Sequence, residues 1–510
     1  MLDENISVKL PFLWGTKTFR KSKWSQINII VGPNGSGKTL LAEEIAKIFS
    51  SSGKKTTFLH SATINEESFI KILSEKPDIH LKIESVLSNL LGKSIKLKKE
   101  KNKLIPTVIN REQNIEYNMY KNECHGLKKI ITLLVELYAS KSKVLIIDEP
   151  ELHLHPQFQS FFMNEIRKTA KSNKNRIFFI ITHSPFFIDL RSPEDLLGMI
   201  VCHVNSIPTT ITNLLPEDEN LFKRFLPRFN PYHKQFFFSD NQIFVEGYTD
   251  QQIFTALLQS VESPYKTCGT GIIDVGGKDE LGVFFKVCSL LGTNPRIITD
   301  LDSLFSGKLR EEICDDKRTN DFLNKNYQNH KALYQQIFQD FSSQTRISMY
   351  KLIQKLEQMI LTVGKTLLSF EENYVQDKNI KLYTEKLKKL KEKYENTEGI
   401  DTYKTVLLQG ITKIPEKLKN VLPVPVSRTI PLIINLFNLI IKSAQECRIY
   451  ILPSGCIEHY YYKTKVEYMP VSAKDKLFHT EYDYLCNATP KQLKKSYPEL
   501  IEILEKACKI

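Results

Sequence analysis

Four carboxylates stand at the ends of two short apolar segments in the second half of this sequence. Glu246 ends the first segment, and Asp250 follows it by four residues. Asp300 and Asp302 end the second. Such segments predict buried strands, and ligands of open α/β sheets collect outside the carboxyl ends of their strands. Because Mg2+ prefers oxygen ligands, the four acids predict a site for one or two Mg2+ ions, with Mn2+ as an alternative.

A glycine-rich loop in the first half offers a second kind of chemistry. An apolar segment, 25–31, leads into a loop and then into a helical pattern; the loop consists of Gly32, Pro33, Asn34, Gly35, Ser36, Gly37, Lys38 and Thr39. This G-x-x-x-x-G-K-T pattern in a strand, loop and helix context predicts backbone N–H groups that cradle phosphates. Lys38 is expected to neutralise phosphate charge and Thr39 to reach Mg2+. The predicted cofactors are ATP and Mg2+.

Two further apolar segments of the first half also end in polar residues. Asp148 and Glu149 end a continuous apolar run, which is typical of a buried parallel strand. We expect Asp148 in the Mg2+ shell and Glu149 to polarise the attacking water. His183 follows another strand, where it could sense the γ-phosphate, with a structural role as the alternative. His153 and His155 suit packing and dimer contacts near the nucleotide better than metal binding, since no third ligand is near in sequence.

Composition limits the class of protein. The 510 residues are 41% hydrophobic and 25% charged, which is ordinary for a globular chain with two or three domains. No apolar run approaches the roughly 20 residues that cross a bilayer, and the N-terminus lacks a signal pattern. We therefore expect a cytoplasmic chain with no membrane partner. Its nine cysteines include no C-x-x-C pair, so neither a zinc knuckle nor a disulfide framework is indicated.

Charge favours a polyanionic partner, and DNA is the expected one. The net charge is +13, and two segments are rich in lysine. The first, 93–103, is either a solvated hairpin or loop or a phosphate contact. The second, 378–393, either lines a DNA channel or forms a solvated helical face.

The loop, the Asp148 segment and His183 together resemble the ABC-type ATPases, most closely the soluble branch that includes SMC and RecF-like proteins. In that family a signature motif precedes the Asp148 strand and completes the site of a partner subunit. The corresponding stretch here, 122–129, has a histidine where the usual serine precedes Gly126. The resemblance implies that Gly126 faces a phosphate at a helix N-terminus and that the chain forms a homo-oligomer through this domain. The short spacing from Lys38 excludes a long coiled-coil arm.

Beyond residue 240 the pattern is strand, helix, strand, helix, strand, which predicts a parallel α/β core. With Glu246 after the first strand and the pair Asp300 and Asp302 after the third, it resembles the TOPRIM fold. An ATPase followed by such a domain resembles the OLD (overcoming lysogenization defect) family of ATPase-TOPRIM nucleases. That family includes the nuclease subunit of the Gabija antiphage system, and retron-associated OLD-like effectors are similar. Residues 25–190 and 240–305 carry the resemblance.

The OLD resemblance implies a metal-dependent phosphodiesterase in which Glu246 and Asp300 are catalytic and Asp250 matches a second acid of the first motif. Glu458, which follows a predicted strand at 447–452, resembles a late acidic ligand, with a structural cap or a structural ion pair as the alternative. A late lysine would stabilise phosphate charge; Lys474 and Lys476 are both candidates.

The sequence therefore predicts an α/β chain, in which an ABC-type P-loop ATPase domain precedes a TOPRIM domain that carries a helical insertion. The expected divisions are an ATPase domain with its connector, a first TOPRIM part, the insertion and a last TOPRIM part, at 1–238, 239–309, 310–439 and 440–510.

The predicted function is an ATP-regulated, Mg2+-dependent DNA endonuclease with a two-metal site, serving as an antiphage effector. An ATP-switched DNA-binding or structural module with an inactive TOPRIM domain is the alternative, and a primase-like or topoisomerase-like enzyme is a third hypothesis. The identity of the partner remains open: it is a second effector subunit, a retron reverse transcriptase with its DNA, or no partner at all.

Overall fold

A computed structural model describes the chain over residues 2–60, 66–100, 103–111, 113–204, 206–238, 241–258, 260–261, 270–338, 346–369, 400–414, 422–469 and 471–508, with single positions at 385, 388, 389 and 392. The chain divides into two compact units. One comprises 1–240 with 290–293, and the other comprises 241–289 with 294–510. Both are α/β, so the predicted fold class is confirmed. The finer division of the second half stays a prediction.

The elements of the first unit follow in chain order. Its described strands, β1 to β11, are Leu2–Val8, Phe19–Trp24, Ile27–Val31, Thr56–Leu59, Lys93–Glu100, Lys103–Asn110, Ile115–Asn118, Val144–Asp148, Ile177–Ile181, Met199–His203 and Ser206–Thr209. Its described α-helices are Pro11–Trp14, Lys38–Ser51, Glu66–Glu75, Pro77–Leu91, Met119–Asn122, His125–Ala139, Pro156–Ser172 and Pro216–Phe225. Short 3-10 helices span Pro193–Gly198, Leu226–Arg228 and His233–Phe238.

The main sheet of this unit has the order β11-β10-β3-β9-β8-β4. All its pairings are parallel except the one between β10 and β11. The strands β8 and β9 are buried along their whole length, which explains their continuous apolar sequence. Trp24, Phe49 and Phe179 pack together on one face, with ring centroids 5.4 to 6.0 Å apart. Because β3, β9 and β8 are neighbours, the segments that follow them meet at one edge of the sheet.

The lysine-rich segment of the first unit is a hairpin, one of the two alternatives predicted. Strands β5 and β6 pair antiparallel, with β7 beside β6. Lys93 forms an ion pair with Glu123 at 2.9 Å, and Lys98 pairs with Glu116. Two of its lysines are therefore neutralised by the unit itself.

The second unit carries the remaining elements. Its described strands, β12 to β15, are Asn241–Val245, Thr270–Asp274, Arg296–Thr299 and Ile449–Ile451. Its described α-helices are Tyr248–Leu258, Lys278–Leu290, Lys308–Asp315, Lys317–Lys325, Tyr327–Ile337, Met349–Ser369, Ile400–Thr412, Val424–Glu446, Lys474–Asn487, Pro490–Ser496 and Pro498–Cys508. Short 3-10 helices span Leu301–Leu304 and Ile457–Tyr460.

The sheet of the second unit has the order β13-β12-β14-β15, and its pairings are parallel. Ile243 lies opposite Ile272 on one side and Arg296 on the other. The buried face of β12 packs on the helices Tyr248–Leu258 and Pro498–Cys508. Since β12 and β14 are neighbours, the acidic residues that follow them lie close together, as the predicted metal site requires.

Helices occupy the described residues between β14 and β15. This agrees with an insertion of helical character. The basic segment 378–393, and the helix predicted at 380–395, lie outside the described residues except for four single positions. Their relation to DNA stays a prediction.

The helix Val424–Glu446 corrects one expectation. At 23 residues it is long and apolar enough to cross a membrane by length and composition, so the expectation that no run approaches that length is wrong. Polar residues such as Asn435 and Lys442 interrupt the apolar run in the sequence and conceal it. The helix packs against Met349–Ser369 and β15, and 44% of its most apolar stretch is buried. Helices in the core of a globular protein can have the same length and hydropathy, so this feature is weak evidence for a membrane span.

A buried carboxylate fixes the helix Lys474–Asn487 in the second unit. Glu481 is fully buried on this helix. It accepts hydrogen bonds from the backbone N–H groups of Tyr462 at 2.5 Å and Lys463 at 2.9 Å. The hydroxyl of Tyr497 also donates to it. The middle of this helix is thereby tied to the residues that follow the 3-10 helix of Glu458.

Replacing Glu481 by alanine should destabilise the second unit by about 3 kcal/mol, because three donors lose a buried acceptor. Glu481→Gln should cost less, since its amide oxygen keeps part of the network. Denaturant unfolding measures both, with the exposed Lys491→Ala as control. Equal midpoints for Glu481→Ala and the control would contradict this role.

Candidate metal centre and nucleotide site

Three carboxylates of the second unit form a compact cluster. Glu246 follows β12, and Asp300 and Asp302 follow the adjacent β14. One carboxylate oxygen from each lies within 4.8 Å of those of the other two. All three side chains are partly buried. The parallel sheet thus brings the acids of two segment ends together, which the sequence predicts.

Hydrogen bonds hold Glu246 in a fixed orientation. Its Oε1 accepts from the Thr299 hydroxyl at 2.7 Å and from the Asp300 N–H at 3.0 Å. The Thr299 hydroxyl also lies 2.6 Å from that of Ser303. These contacts leave the other oxygen of Glu246 available to the centre of the cluster.

Burial and repulsion between like charges make Glu246, Asp250 and Asp300 hard to ionise. Burial, followed by the charges of Glu246, Asp250 and Asp302, raises the pKa of Asp300 well above its usual value. Burial and then Asp302 raise the pKa of Glu246. Burial, with Glu246 and Glu458, raises the pKa of Asp250 to about 7. Neighbouring like charges have this effect, and a bound cation would reverse it.

Glu458 and Lys474 form an ion pair beside the cluster. Glu458 is 1% exposed, and its Oε1 lies 3.0 Å from Lys474 Nζ. Burial opposes the charge of Glu458, but Cys456 and Lys474 hold its pKa below the usual value. Burial likewise opposes the charge of Lys474, yet Glu458, Cys456 and Asp300 raise its pKa. Of the two candidate lysines, the structure brings Lys474 to this carboxylate, whereas Lys476 is exposed on the same helix.

The residues present fit a divalent cation. Asp302 Oδ1 and Glu458 Oε2 are buried, and neither has a hydrogen-bond partner among the residues that the structure describes. An unpartnered buried carboxylate oxygen is costly, and Mg2+ or Mn2+ would satisfy it. Asp250 and Glu458 do not join the compact cluster, although their charges act on each other. Three of the five acids predicted for this site therefore form the compact cluster, and Asp250 and Glu458 lie outside it.

Sequence reasoning misses three residues of this centre. Lys278 Nζ lies 3.1 Å from Asp302 Oδ2 and 3.0 Å from Ser306 Oγ. Thr299 and Ser303 are the hydroxyls beside Glu246. The sequence does contain signals for these residues: hydroxyl side chains flank the acids, and a lysine follows two glycines. Each of these features is common in loops and therefore does not identify a site.

The phosphate-binding loop of the first unit has the predicted form. Lys38 Nζ donates to the carbonyl oxygens of Gly32 at 3.0 Å and Pro33 at 2.8 Å. The Thr39 hydroxyl donates to Asp148 Oδ2 at 3.1 Å. Burial lowers the pKa of Lys38 and raises that of Asp148. Asp148 Oδ1 is buried without a partner in the described part of the chain, as suits an oxygen that could ligate Mg2+.

Backbone geometry requires glycine at two places in this loop. Gly32 has φ +146°, and an added Cβ would meet the Cys202 carbonyl oxygen at 2.3 Å. Gly37 has φ +80° at the start of the helix Lys38–Ser51. Asn34 and Gly35 are exposed, and the hydroxyl of Ser36 donates to Pro33 O at 2.8 Å. The loop can thus present its backbone N–H groups outward.

The charges of Lys38 and Glu149 both act on His183, and Glu151 holds the backbone at this histidine. Burial and then the charge of Lys38 lower the pKa of His183, which Glu149 opposes. Glu151 accepts from the His183 N–H at 2.6 Å and from the Thr182 hydroxyl at 2.8 Å. Glu151 therefore links the segment after β8 to the segment after β9. Sequence reasoning assigns Glu151 no role.

The segment expected to meet a partner's nucleotide starts the helix His125–Ala139. Gly126 lies in its first turn, where an added Cβ would meet His153 O at 2.9 Å. The rings of His125 and His153 are 5.9 Å apart. His155 Nδ1 accepts from the Gln157 N–H at 3.4 Å and caps the next helix. Capping agrees with a structural role for His155, and the role of Gly126 stays a prediction.

Comparison with known families matches both halves. Residues 237–302 match the family model "Overcoming lysogenization defect protein-like, TOPRIM domain". Residues 124–189 match the model "AAA domain, putative AbiEii toxin, Type IV TA system". Parts of both halves are therefore similar to the ATPase and TOPRIM domains of OLD-like proteins. An ATPase domain together with a TOPRIM domain implies the use of a nucleotide and of a divalent metal.

Two relatives illustrate the extent of the similarity. The chain is 26% identical over 410 residues to Endonuclease GajA of Bacillus cereus strain HuB5-5, covering 71% of this chain and 58% of the relative. It is 29% identical over 169 residues to the OLD nuclease of Thermus scotoductus, covering 32% of this chain and 31% of the relative. The chain therefore spans from about a third to somewhat over half the length of these relatives. Among solved structures, the SMC head domain of Thermotoga maritima matches with a TM-score of 0.29 and 12% identity, covering 42% of this chain and 100% of that one.

Neutralising one acid of the cluster should stabilise the metal-free protein. Asp300→Asn removes a carboxyl group whose ionisation the folded protein opposes, so its melting temperature in EDTA at neutral pH should rise by about 2 to 4 °C. The same variant should lose the stabilisation that Mn2+ gives the wild type. Thermal unfolding with EDTA and with Mn2+ measures both effects, with the exposed Asp321→Asn as control. A lower melting temperature in EDTA, with the Mn2+ effect retained, would contradict the account.

Proposed function

We propose that this chain is an ATP-regulated, Mg2+-dependent DNA endonuclease that hydrolyses phosphodiester bonds at the cluster of Glu246, Asp300 and Asp302. The observation that carries the proposal is the convergence of these carboxylates within 4.8 Å, beside a buried carboxylate oxygen without a partner in the described chain. The relatives named OLD nuclease and Endonuclease GajA support the reaction class. DNA as substrate also agrees with the net charge of +13.

In this proposal Glu246, Asp300 and Asp302 hold one cation, and Asp250 and Glu458 contribute to a second position. Bound there, Mg2+ or Mn2+ would supply the Lewis acidity that activates water and stabilises the leaving 3′ oxygen. Lys474, with its half-exposed ammonium beside Glu458, would neutralise the charge that develops on the phosphate. Thr299 would keep Glu246 oriented throughout. Lys476 keeps no assigned role in this proposal.

The nucleotide site would regulate this activity. Lys38, Thr39 and Asp148 would bind ATP and its Mg2+, and Glu149 and His183 would act on the γ-phosphate. The hydrogen bond from the His183 backbone N–H to Glu151 supports this role, because it fixes the backbone that carries the histidine. Gly126 of one copy would complete the site of another, so we propose a homo-oligomer formed through the ATPase domain. We further propose that nucleotide binding gates access to the carboxylate cluster.

The setting of the activity rests on the family alone. Similarity to the OLD family supports a cytoplasmic antiphage effector, acting by itself, with a second effector subunit, or with a retron reverse transcriptase and its DNA.

Cleavage of supercoiled and linear DNA tests the function. With Mg2+ or Mn2+ the wild type should nick or cut DNA, and Glu246→Ala and Asp300→Asn should each lower the rate about a hundredfold or more. Asp321→Asn should cleave at the wild-type rate. Lys38→Ala should lose the response to ATP, measured at matched free Mg2+.

Two outcomes would count against the proposal. Metal-dependent cleavage that survives in both cluster variants would place the activity elsewhere. ATP binding and DNA binding without cleavage under any nucleotide condition would favour an ATP-switched DNA-binding module instead.

A further inference from the structure

Lys278 stands at a position that the predicted metal site does not use. It is the first residue of the helix Lys278–Leu290, directly after Gly276 and Gly277. Both glycines have positive φ, +78° and +142°. The Gly277 N–H donates to the Glu246 carbonyl oxygen at 2.8 Å. This bond ties the turn, and with it Lys278, to the strand end that carries the cluster.

The ammonium of Lys278 has two partners. It lies 3.1 Å from Asp302 Oδ2 and 3.0 Å from Ser306 Oγ, with 21% of the side chain exposed. Asp302 Oδ1 is buried and has no hydrogen-bond partner among the described residues. One carboxylate oxygen of the cluster is therefore neutralised by the protein, while the other is left for a ligand.

A cation at the cluster would compete with this ammonium. A divalent ion that binds Glu246, Asp300 and Asp302 would stand within a few ångströms of Lys278, and positive charges that close repel strongly in a partly buried site. Ser306, which lines an open groove of about 520 Å³, is a second partner because its hydroxyl already accepts a hydrogen bond from the ammonium at 3.0 Å. Lys278 can leave Asp302 without losing every hydrogen bond.

We propose that Lys278 is a resident counter-cation of the carboxylate cluster, which neutralises Asp302 in the metal-free protein and yields it to the divalent ion. The inference rests on the metal site of the proposed function. It gives Lys278 two effects of opposite sign: the lysine stabilises the metal-free fold, and it weakens metal binding. A lysine with a purely structural role would stabilise the fold with and without metal and leave metal affinity unchanged.

Lys278→Met tests the proposal, since methionine keeps the unbranched length and removes the charge. Free Mn2+ is measured by electron paramagnetic resonance during titration of the nucleotide-free full chain, and thermal unfolding is recorded in EDTA and in saturating Mn2+. We expect about tenfold tighter Mn2+ binding, a lower melting temperature in EDTA, and a wild-type melting temperature in Mn2+. Lys278→Arg should keep wild-type behaviour. Lys308→Met, at an exposed lysine of the same groove, is the matched control.

Unchanged or weaker Mn2+ binding by Lys278→Met would overturn the proposal. If that variant does not fold, Lys278→Met combined with Asp302→Asn removes both charges and should fold in EDTA; failure of the double variant to fold would also overturn it. The measurement needs no DNA. Tighter Mn2+ binding in a protein whose wild type cuts no DNA would uphold the role of Lys278 while the proposed nuclease function fails.

Discussion

Repulsion between carboxylates is the constraint on which the second unit depends. Three oxygen atoms of Glu246, Asp300 and Asp302 lie within 4.8 Å of one another, in surroundings that raise the pKa of two of these residues. Such a cluster is tolerated because donors surround it. Thr299 and a backbone N–H serve Glu246, and Lys278 serves Asp302. The stability of the metal-free fold and the affinity for a cation are therefore set by the same few charges.

The surrounding architecture positions those donors. The parallel order of β12 and β14 brings the acids together, and the turn before Lys278 is bonded to the end of β12. Glu481 anchors the helix that begins at Lys474, and Lys474 pairs with Glu458. The first unit uses the same geometry on its own sheet, where Thr39 meets Asp148 at the ends of neighbouring elements. Each site lies at the carboxyl edge of parallel strands, which is where such sheets offer converging polar groups.

The sequence predicts the parts of each site that lie on one segment. Apolar runs locate the strands and therefore the acids that follow them, Asp148, Glu246 and Asp300. The glycine-rich motif locates Lys38. The sequence does not predict contacts between segments. Glu151 bonds to the His183 N–H across two loops, and Lys278 reaches Asp302 from a different strand end. No sequence pattern indicates either contact, because each contact depends on the order of the strands in the sheet.

The sequence also does not show which of two similar residues, close together in the chain, belongs to a site. Lys474 and Lys476 are two residues apart, and their difference comes from helix orientation, which the Glu481 hydrogen bonds fix. The membrane-length helix Val424–Glu446 was missed for a related reason, since its polar residues mask an apolar face that packs against other helices. Asp250 and Glu458 match acidic motif positions, yet they lie outside the compact cluster, which only the three-dimensional arrangement reveals.

The most direct test of the central claim is anomalous diffraction from crystals of the nucleotide-free protein soaked in Mn2+. The account predicts a peak about 2.1 to 2.2 Å from carboxylate oxygens of Glu246, Asp300 and Asp302. It also predicts that this peak disappears in Asp300→Asn crystals soaked in the same way. Peaks confined to other parts of the chain, or an unchanged peak in the variant, would contradict the claim that these three carboxylates form a divalent metal centre.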